Sequence, residues 1–276
     1  MPITQALQEL KQELHISHSQ IFTYLNCSLK YKFMYVEALH PERTSVALSF
    51  GSAIHAGVER YYQVLKDKGV MEPLGVLQEL FADHINLELD HTDIPIIYKK
   101  ETPDRKSVIE MGRAMLKAFY ESVDLTGFEI VAIEVPMSAI LYTDEKKATD
   151  MKVIGVLDLV LKNDQGIIVA VDNKTASKPY AQATVDDDIQ LTCYAYLLAS
   201  NRYVFPTADV HCRLDVLRKL KTPKLEHYST TRTSEQRKRF AKLANAVLAG
   251  IDARVFIPCK SWLCGDCQYV SACKSW

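Results

Sequence analysis

Two acidic residues set into apolar, β-branched runs constrain this chain more than any other feature. Val153–Leu161 and Ile167–Val171 flank Asn163-Asp164-Gln165-Gly166, a hairpin signal. With Asp164-Gln165-Gly166 as a three-residue loop and Gly166 left-handed, Asp158 stands directly across the ladder from Asp172 on one sheet face. A slip of one residue would undo that pairing. Carboxylates buried among apolar residues are costly unless their charge is compensated. The pair therefore predicts a site for a hard divalent cation, magnesium or manganese. Lys174, two residues after Asp172, points the same way from an extended strand. There it could position a water or stabilise charge on a phosphoryl oxygen. Gln190 and Tyr194 lie four apart in DDDIQLTCYAYLL and share one helix face. The plainer alternative is a turn aspartate, a surface Asp172–Lys174 pair and ordinary polar helix positions, and spacing by itself leaves both readings open.

Length and charge bound the setting. With 276 residues, 48% of them hydrophobic, the chain can bury a sizeable core. No apolar run approaches the ~18–20 residues that span a bilayer. MPITQALQELKQELHIS reads as an amphipathic helix without the apolar centre of a signal peptide, so a cytoplasmic protein is expected. A formal net charge of −1 gives no global basic field, and contact with nucleic acid would need local patches. Seven cysteines in such a compartment argue against a disulfide framework. No P-loop of the Walker type is present, so no helicase motor is expected in this chain.

Several further elements follow from pattern. Ser17-His18-Ser19-Gln20 caps a helix-like run through Val36 that contains Cys27, by itself an ordinary core thiol. A helix starting near Gly51-Ser52 carries His55 and Glu59 on one face. Helical spacing in LGVLQELFADHINLEL and VIEMGRAMLKAFYESV predicts a helical subdomain over the site. Phe128–Leu141 reads as a strand whose Pro136 marks an edge or a bulge. Two strands, ADVHCRLDVLRK and KLEHYST, precede a helix capped by Thr233 or Ser234. Among the basic residues here, Lys219 and Lys221 are the better placed for DNA phosphates, because they follow a strand beside the site. Cys264-x2-Cys267-x5-Cys273 points to a bound metal. Spacing alone would choose Cys259 as a fourth thiol and allow zinc.

Taken together, Gly155-x-x-Asp158, Asp172-x-Lys174-Thr175 and Gln190-x-x-x-Tyr194 resemble the core of the RecB-like branch of the PD-(D/E)XK nucleases. Leu157 stands where a proline often precedes the first aspartate, a departure common in that branch. The resemblance implies an α/β fold, a restriction-endonuclease-like mixed central β-sheet flanked by helices, with metal-dependent phosphodiester hydrolysis at one end. It implies a single nuclease domain over 1–276, with a helical insertion at about 60–125 and cluster-binding ends at 17–30 and 257–276. The Gly51-x-x-x-His55 pattern resembles the histidine metal ligand of that branch. Its ion would be held by His55, Asp158, Asp172 and the Asn173 carbonyl, with Gln190 and Tyr194 orienting Lys174 or the DNA backbone. In relatives that carry a 4Fe-4S cluster, an amino-terminal cysteine joins a terminal triplet. That implies Cys27 with Cys264, Cys267 and Cys273, although Ser28 replaces the usual proline. Four thiolates are the normal ligand set for such a cluster.

The function implied is a metal-dependent DNA nuclease, an exonuclease on single-stranded ends. The rivals are a structure-specific or double-strand endonuclease, a non-cleaving nucleic-acid-binding subunit of a repair or CRISPR complex, and a zinc-stapled structural protein. Helicase, recombination or CRISPR proteins are the partners such relatives suggest.

Overall fold

A computed structural model describes residues 3–276. In chain order the elements are α1 (Ile3–Lys11), β1 (His15–Ser17), α2 (His18–Asn26), α3 (Ser28–Tyr31) running into a π-turn at Lys32–Val36, β2 (Thr44–Ser45), α4 (Val46–Lys68), α5 (Leu74–Asp90), β3 (Ile96–Ile97) and α6 (Arg105–Ser122). There follow β4 (Phe128–Tyr142), β5 (Ala148–Asn163), β6 (Ile168–Ala176), α7 (Gln182–Asp186), α8 (Ile189–Ser200), β7 (Val210–Arg218), β8 (Lys224–Arg232), α9 (Ser234–Asp252), a 3₁₀ turn (Trp262–Asp266) and α10 (Val270–Ser275).

The hairpin closes as the alternation requires. Gly166 takes φ of +78° and donates its N–H to the Asn163 carbonyl, while the Asn163 side chain accepts from the Gln165 and Ile167 amides. The ladder runs from Lys162–Ile168 to Leu159–Val171, so Asp158 and Asp172 come next in the same register. There the two strands part. β6 continues parallel to β7, and β5 instead pairs through Lys152–Ile154 with β1. β4 covers the other edge of β5 along its length, and β8 closes the far side against β7. The result is a mixed six-stranded sheet, as expected, with a split between β5 and β6 beginning at the two aspartates.

Strand alternation assigns the two faces. Val160, Ala170, Cys212 and Leu214 pack against α8, α9 and Ile21 of α2. Leu159, Leu161, Val171 and Leu217 pack against α4, α5 and α6. Helices therefore flank both sides, each face removing apolar surface from water at roughly 25 cal/mol per Å². Gly155 lets α8 approach β5, since a Cβ there would lie 2.9 Å from Leu197.

Three local expectations need correction. α4 starts at Val46, capped by the Ser45 hydroxyl, five residues before Gly51; propensity marked Gly51 as a boundary, yet the helix passes through it into its buried face. Cys27 does not lie within a helix: it is extended (φ −164°, ψ 99°) and serves as the last cap of α2 and the first of α3. The amino-terminal helix stops at Lys11, and His15–Ser17 become a strand, because the free edge of β5 supplies hydrogen bonds that local pattern cannot foresee. Met1 and Pro2, included in that helix reading, lie outside the described residues. Pro136 sits on edge strand β4, where its missing N–H is tolerated, and a bulge separates Ile130 from Ala132.

Candidate active site and metal centre

The split in the sheet is where polar side chains collect. Asp158 points into it from β5: its Oδ2 accepts the Asn173 N–H at 2.8 Å and its Oδ1 accepts the Tyr194 hydroxyl at 3.1 Å. Asp172, with no exposed surface, accepts through Oδ1 from Lys174 Nζ (3.0 Å) and Gln190 Nε2 (2.8 Å). Lys174 also donates to Gln190 Oε1 at 2.7 Å, and Gln190 donates to the Tyr194 oxygen at 2.9 Å. Helical spacing on α8 makes the last contact possible. The Asp188 carboxylate caps that helix through the Leu191 N–H and so fixes where Gln190 begins its turn. Lys174, Gln190 and Tyr194 thus form one connected network around the two carboxylates.

A second group completes the site from the other side. His55 projects from α4, and its Nδ1 lies 3.5 Å from Asp158 Oδ2. Glu134 arrives from β4, between the pairs Ile133–Leu159 and Val135–Leu157. It takes φ of +44°, a left-handed backbone that a non-glycine residue rarely adopts and that costs on the order of 1–3 kcal/mol. One ligand atom from each of His55, Glu134 and Asp158 lies within 4.8 Å of the others.

The electrostatics of this corner are those of an acidic cluster short of positive charge. Burial pushes Glu134 up to about 8, and the charges of Asp158, Glu59 and Asp172 add to the shift. Burial also raises Glu59. The Asp172 carboxyl is pushed up by burial, with the Lys174 ammonium pulling against it and Asp158 adding to it. Burial would lower Lys174, but Asp172 and Asp158 hold it above its ordinary value. Asp172 Oδ2 is buried without a hydrogen bond, since Lys174 Nζ lies 2.8 Å away but out of line. A nitrogen, several carboxylate oxygens and an orphaned oxygen suit a hard or borderline divalent ion. Such an ion would relieve the mutual repulsion.

Of the residues singled out in the sequence, His55 and Asp158 meet in the metal group, and Asp172, Lys174, Gln190 and Tyr194 adjoin it in the network. Asn173 reaches the site through its N–H to Asp158. Lys219 is not free at the surface: its Nζ sits 4.0 Å from the Phe50 ring centre, and burial, then Lys99, pushes it down to about 8. Lys221 is exposed in the β7–β8 turn. Glu134 went unread, although an acid inside FEIVAIEVPM is the same signal that marked Asp158. His18 also went unread. It faces Lys174, and burial, then that lysine's charge, pushes it down to about 4, so it is neutral.

The thiols gather elsewhere. Cys27, Cys267 and Cys273 pack around Leu29, Phe33 and Tyr269. Burial raises the Cys273 thiol, and the proximity of Cys27, Cys267 and Cys264 raises it further. Among the described residues no three thiols come within 4.8 Å of one another. Hydrogen bonds join the ends independently. Leu29 N–H donates to the Ile257 carbonyl, Ile257 N–H to the Ser28 hydroxyl, Arg43 to the Cys267 carbonyl, and Ser271 N–H to Glu42. Cys259 is exposed, its carbonyl accepting weakly from the Cys264 thiol at 3.8 Å.

Comparison with known proteins places this geometry in context. A family model described as the PD-(D/E)XK nuclease superfamily matches residues 15–274. No curated protein matches the chain in sequence. Among solved structures, one named as a candidate exonuclease from Eubacterium rectale aligns with a TM-score of 0.56 at 13% identity, covering 97% of this chain and 90% of that one. The structure of SSO0001 aligns with a TM-score of 0.39 at 14% identity, covering 90% and 94%.

Proposed function

This chain belongs to the PD-(D/E)XK nuclease superfamily, and from that premise we propose that it is a metal-dependent DNA nuclease of the RecB-like branch, acting as an exonuclease on single-stranded ends. The observation that carries the reading is the convergence of His55, Glu134 and Asp158 beside the Asp172–Lys174 pair at the split in the sheet. His55, Glu134 and Asp158 would hold magnesium or manganese, with Asp172 Oδ2 and the Asn173 carbonyl adjoining. When bound, such an ion polarises the scissile phosphate and lowers the pKa of a bound water. Lys174, held by Asp172 and Gln190, orients the attacking water and stabilises charge on the phosphoryl oxygens. Tyr194 and Gln190 fix Asp158 and Lys174 relative to one another. His18, being neutral, adds no charge that would compete with Lys174. The named relative from Eubacterium rectale supports the exonuclease reading by fold likeness alone.

For the terminal thiols, the reading is a 4Fe-4S cluster on Cys27, Cys264, Cys267 and Cys273. What supports it is that Cys27, Cys267 and Cys273 share one apolar shell, with the exposed Cys264 near enough to act on the Cys273 thiol. A cluster there would be a staple for the chain ends, remote from hydrolysis. Digestion of end-labelled single- and double-stranded DNA and of covalently closed circles, with manganese, magnesium or chelator, tests the activity. Metal-dependent loss of the end label with circles left intact is the expected result. Cutting of closed circles would make it an endonuclease, and cleavage unchanged in chelator would remove the metal from the reading.

A further inference from the structure

A cleft of about 690 Å³ opens beside Lys174 and Gln190, lined also by His18, Phe22, Tyr180 and Asp187. Its walls are aromatic for no reason the core supplies. α2 buries Ile21, yet Phe22 stays 50% exposed at the cleft, its ring centre 5.8 Å from that of His18 one turn earlier. Tyr180 is steadied from behind by Tyr228, ring centres 6.1 Å apart, and Tyr228 is anchored by its hydroxyl to Glu226. The charges are arranged oppositely to those of a phosphate groove. Among the described residues lining it, Lys174 is the one cation, and it is already held at the floor by Asp172 and Gln190. Asp187 stands exposed at the rim, and Asp188 nearby is committed to capping α8. A phosphodiester drawn into the cleft would meet two carboxylates. A planar, uncharged group with N–H donors would instead find aromatic faces to stack on and an acceptor at the rim.

That chemistry is a nucleobase. Resting on the nuclease reading above, we propose that this cleft seats the base adjoining the scissile phosphate, turned out of the strand and stacked on Phe22, His18 and Tyr180. Asp187 accepts from its exocyclic amine, so cytosine is favoured over thymine. The backbone then crosses Lys174 and the metal group while the base occupies the neighbouring space. A base can enter only when it is unpaired and unstacked, which makes single strands the preferred substrate.

Fluorescence anisotropy in chelator, where nothing is cut, tests the cleft. The probes are end-labelled oligodeoxycytidylate, oligothymidylate and an abasic strand of equal length. The wild type is expected to bind oligodeoxycytidylate about tenfold or more tighter than the abasic strand, the scale of one base–aromatic stack. Phe22→Ala, at a half-exposed position, should bring that affinity down towards the abasic level. Asp187→Asn should erase the preference for cytosine over thymine, and the uncharged change Phe22→Ala should leave abasic binding unchanged. Equal wild-type affinity for all three strands would overturn the proposal, as would a uniform weakening of all three by Phe22→Ala. The same strands are then digested with manganese. Cleavage that ignores base identity sinks the cleft alone, whereas no cleavage of any DNA sinks the nuclease reading with it.

Discussion

Replacing Glu134 with glutamine tests whether the acidic corner is built for a cation. In the fold this carboxyl titrates at about 8, against 4.5 for the ordinary group, so the native state binds its proton more tightly than the unfolded chain. The native state thus holds more protons between those values, and stability must fall as pH rises from about 4.5 to about 8. Below 4.5 the stabilising difference is fully present, and above 8 it is gone. At about 1.4 kcal/mol for each pH unit, the displacement sets a ceiling near 5 kcal/mol. Glu134 is partly exposed, so water screening reduces this to about 2–3 kcal/mol. The uncharged Glu134→Gln variant escapes the penalty. In chelator at pH 8.5 it should melt about 4–6 °C above the wild type, and near pH 4.5 the two should coincide. A saturating divalent ion, at about a hundred times its Kd, should add about 2.7 kcal/mol to the wild type and much less to the variant. Thermal melts across pH, with and without manganese, read all of this. A wild-type profile flat from pH 5 to 8.5 in chelator, or equal manganese stabilisation of both proteins, would refute the reasoning.

Other consequences are simpler to check. Lys174→Met removes the ammonium that Asp172 and Gln190 hold, and should lower the cleavage rate by about 10²–10⁴ in a quenched-flow or gel assay while leaving the melt cooperative. Arg232, without exposed surface, donates to the Val185 and Asp188 carbonyls and to Thr192 Oγ1. Arg232→Leu orphans those acceptors and should cost about 2–4 kcal/mol in urea unfolding. Gly112→Ala would put a Cβ 2.0 Å from the Phe81 ring between α5 and α6. Its expected cost is about 1–3 kcal/mol by the same measurement, with cleavage per folded molecule unchanged. Cys273→Ser should strip iron from anaerobically purified protein, read by iron analysis and visible absorbance, while the Asp172–Lys174 network stays intact in activity.

The local instructions for the centre of the molecule were written in the chain. Gly166 and Asn163 determine the hairpin, β-branched alternation determines its faces, and the two together determine that Asp158 and Asp172 share one side. The four-residue spacing of Gln190 and Tyr194 needs only a helix, and the Ser17 and Thr233 caps need only their own first turns. These features depend on neighbours within a few residues, which is why sequence suffices for them. What lies between distant segments was decided by packing. β1 exists because β5 and β6 part and leave an edge to fill. Glu134 joins the metal group because β4 runs alongside β5 and its backbone turns left-handed opposite Asp158. His55 reaches the same point from a helix on the opposite face of the sheet. Sequence determines which faces are apolar and which turns are tight. The meeting of an imidazole with carboxylates drawn from three separate elements depends on strand order and helix placement, which only the folded chain sets.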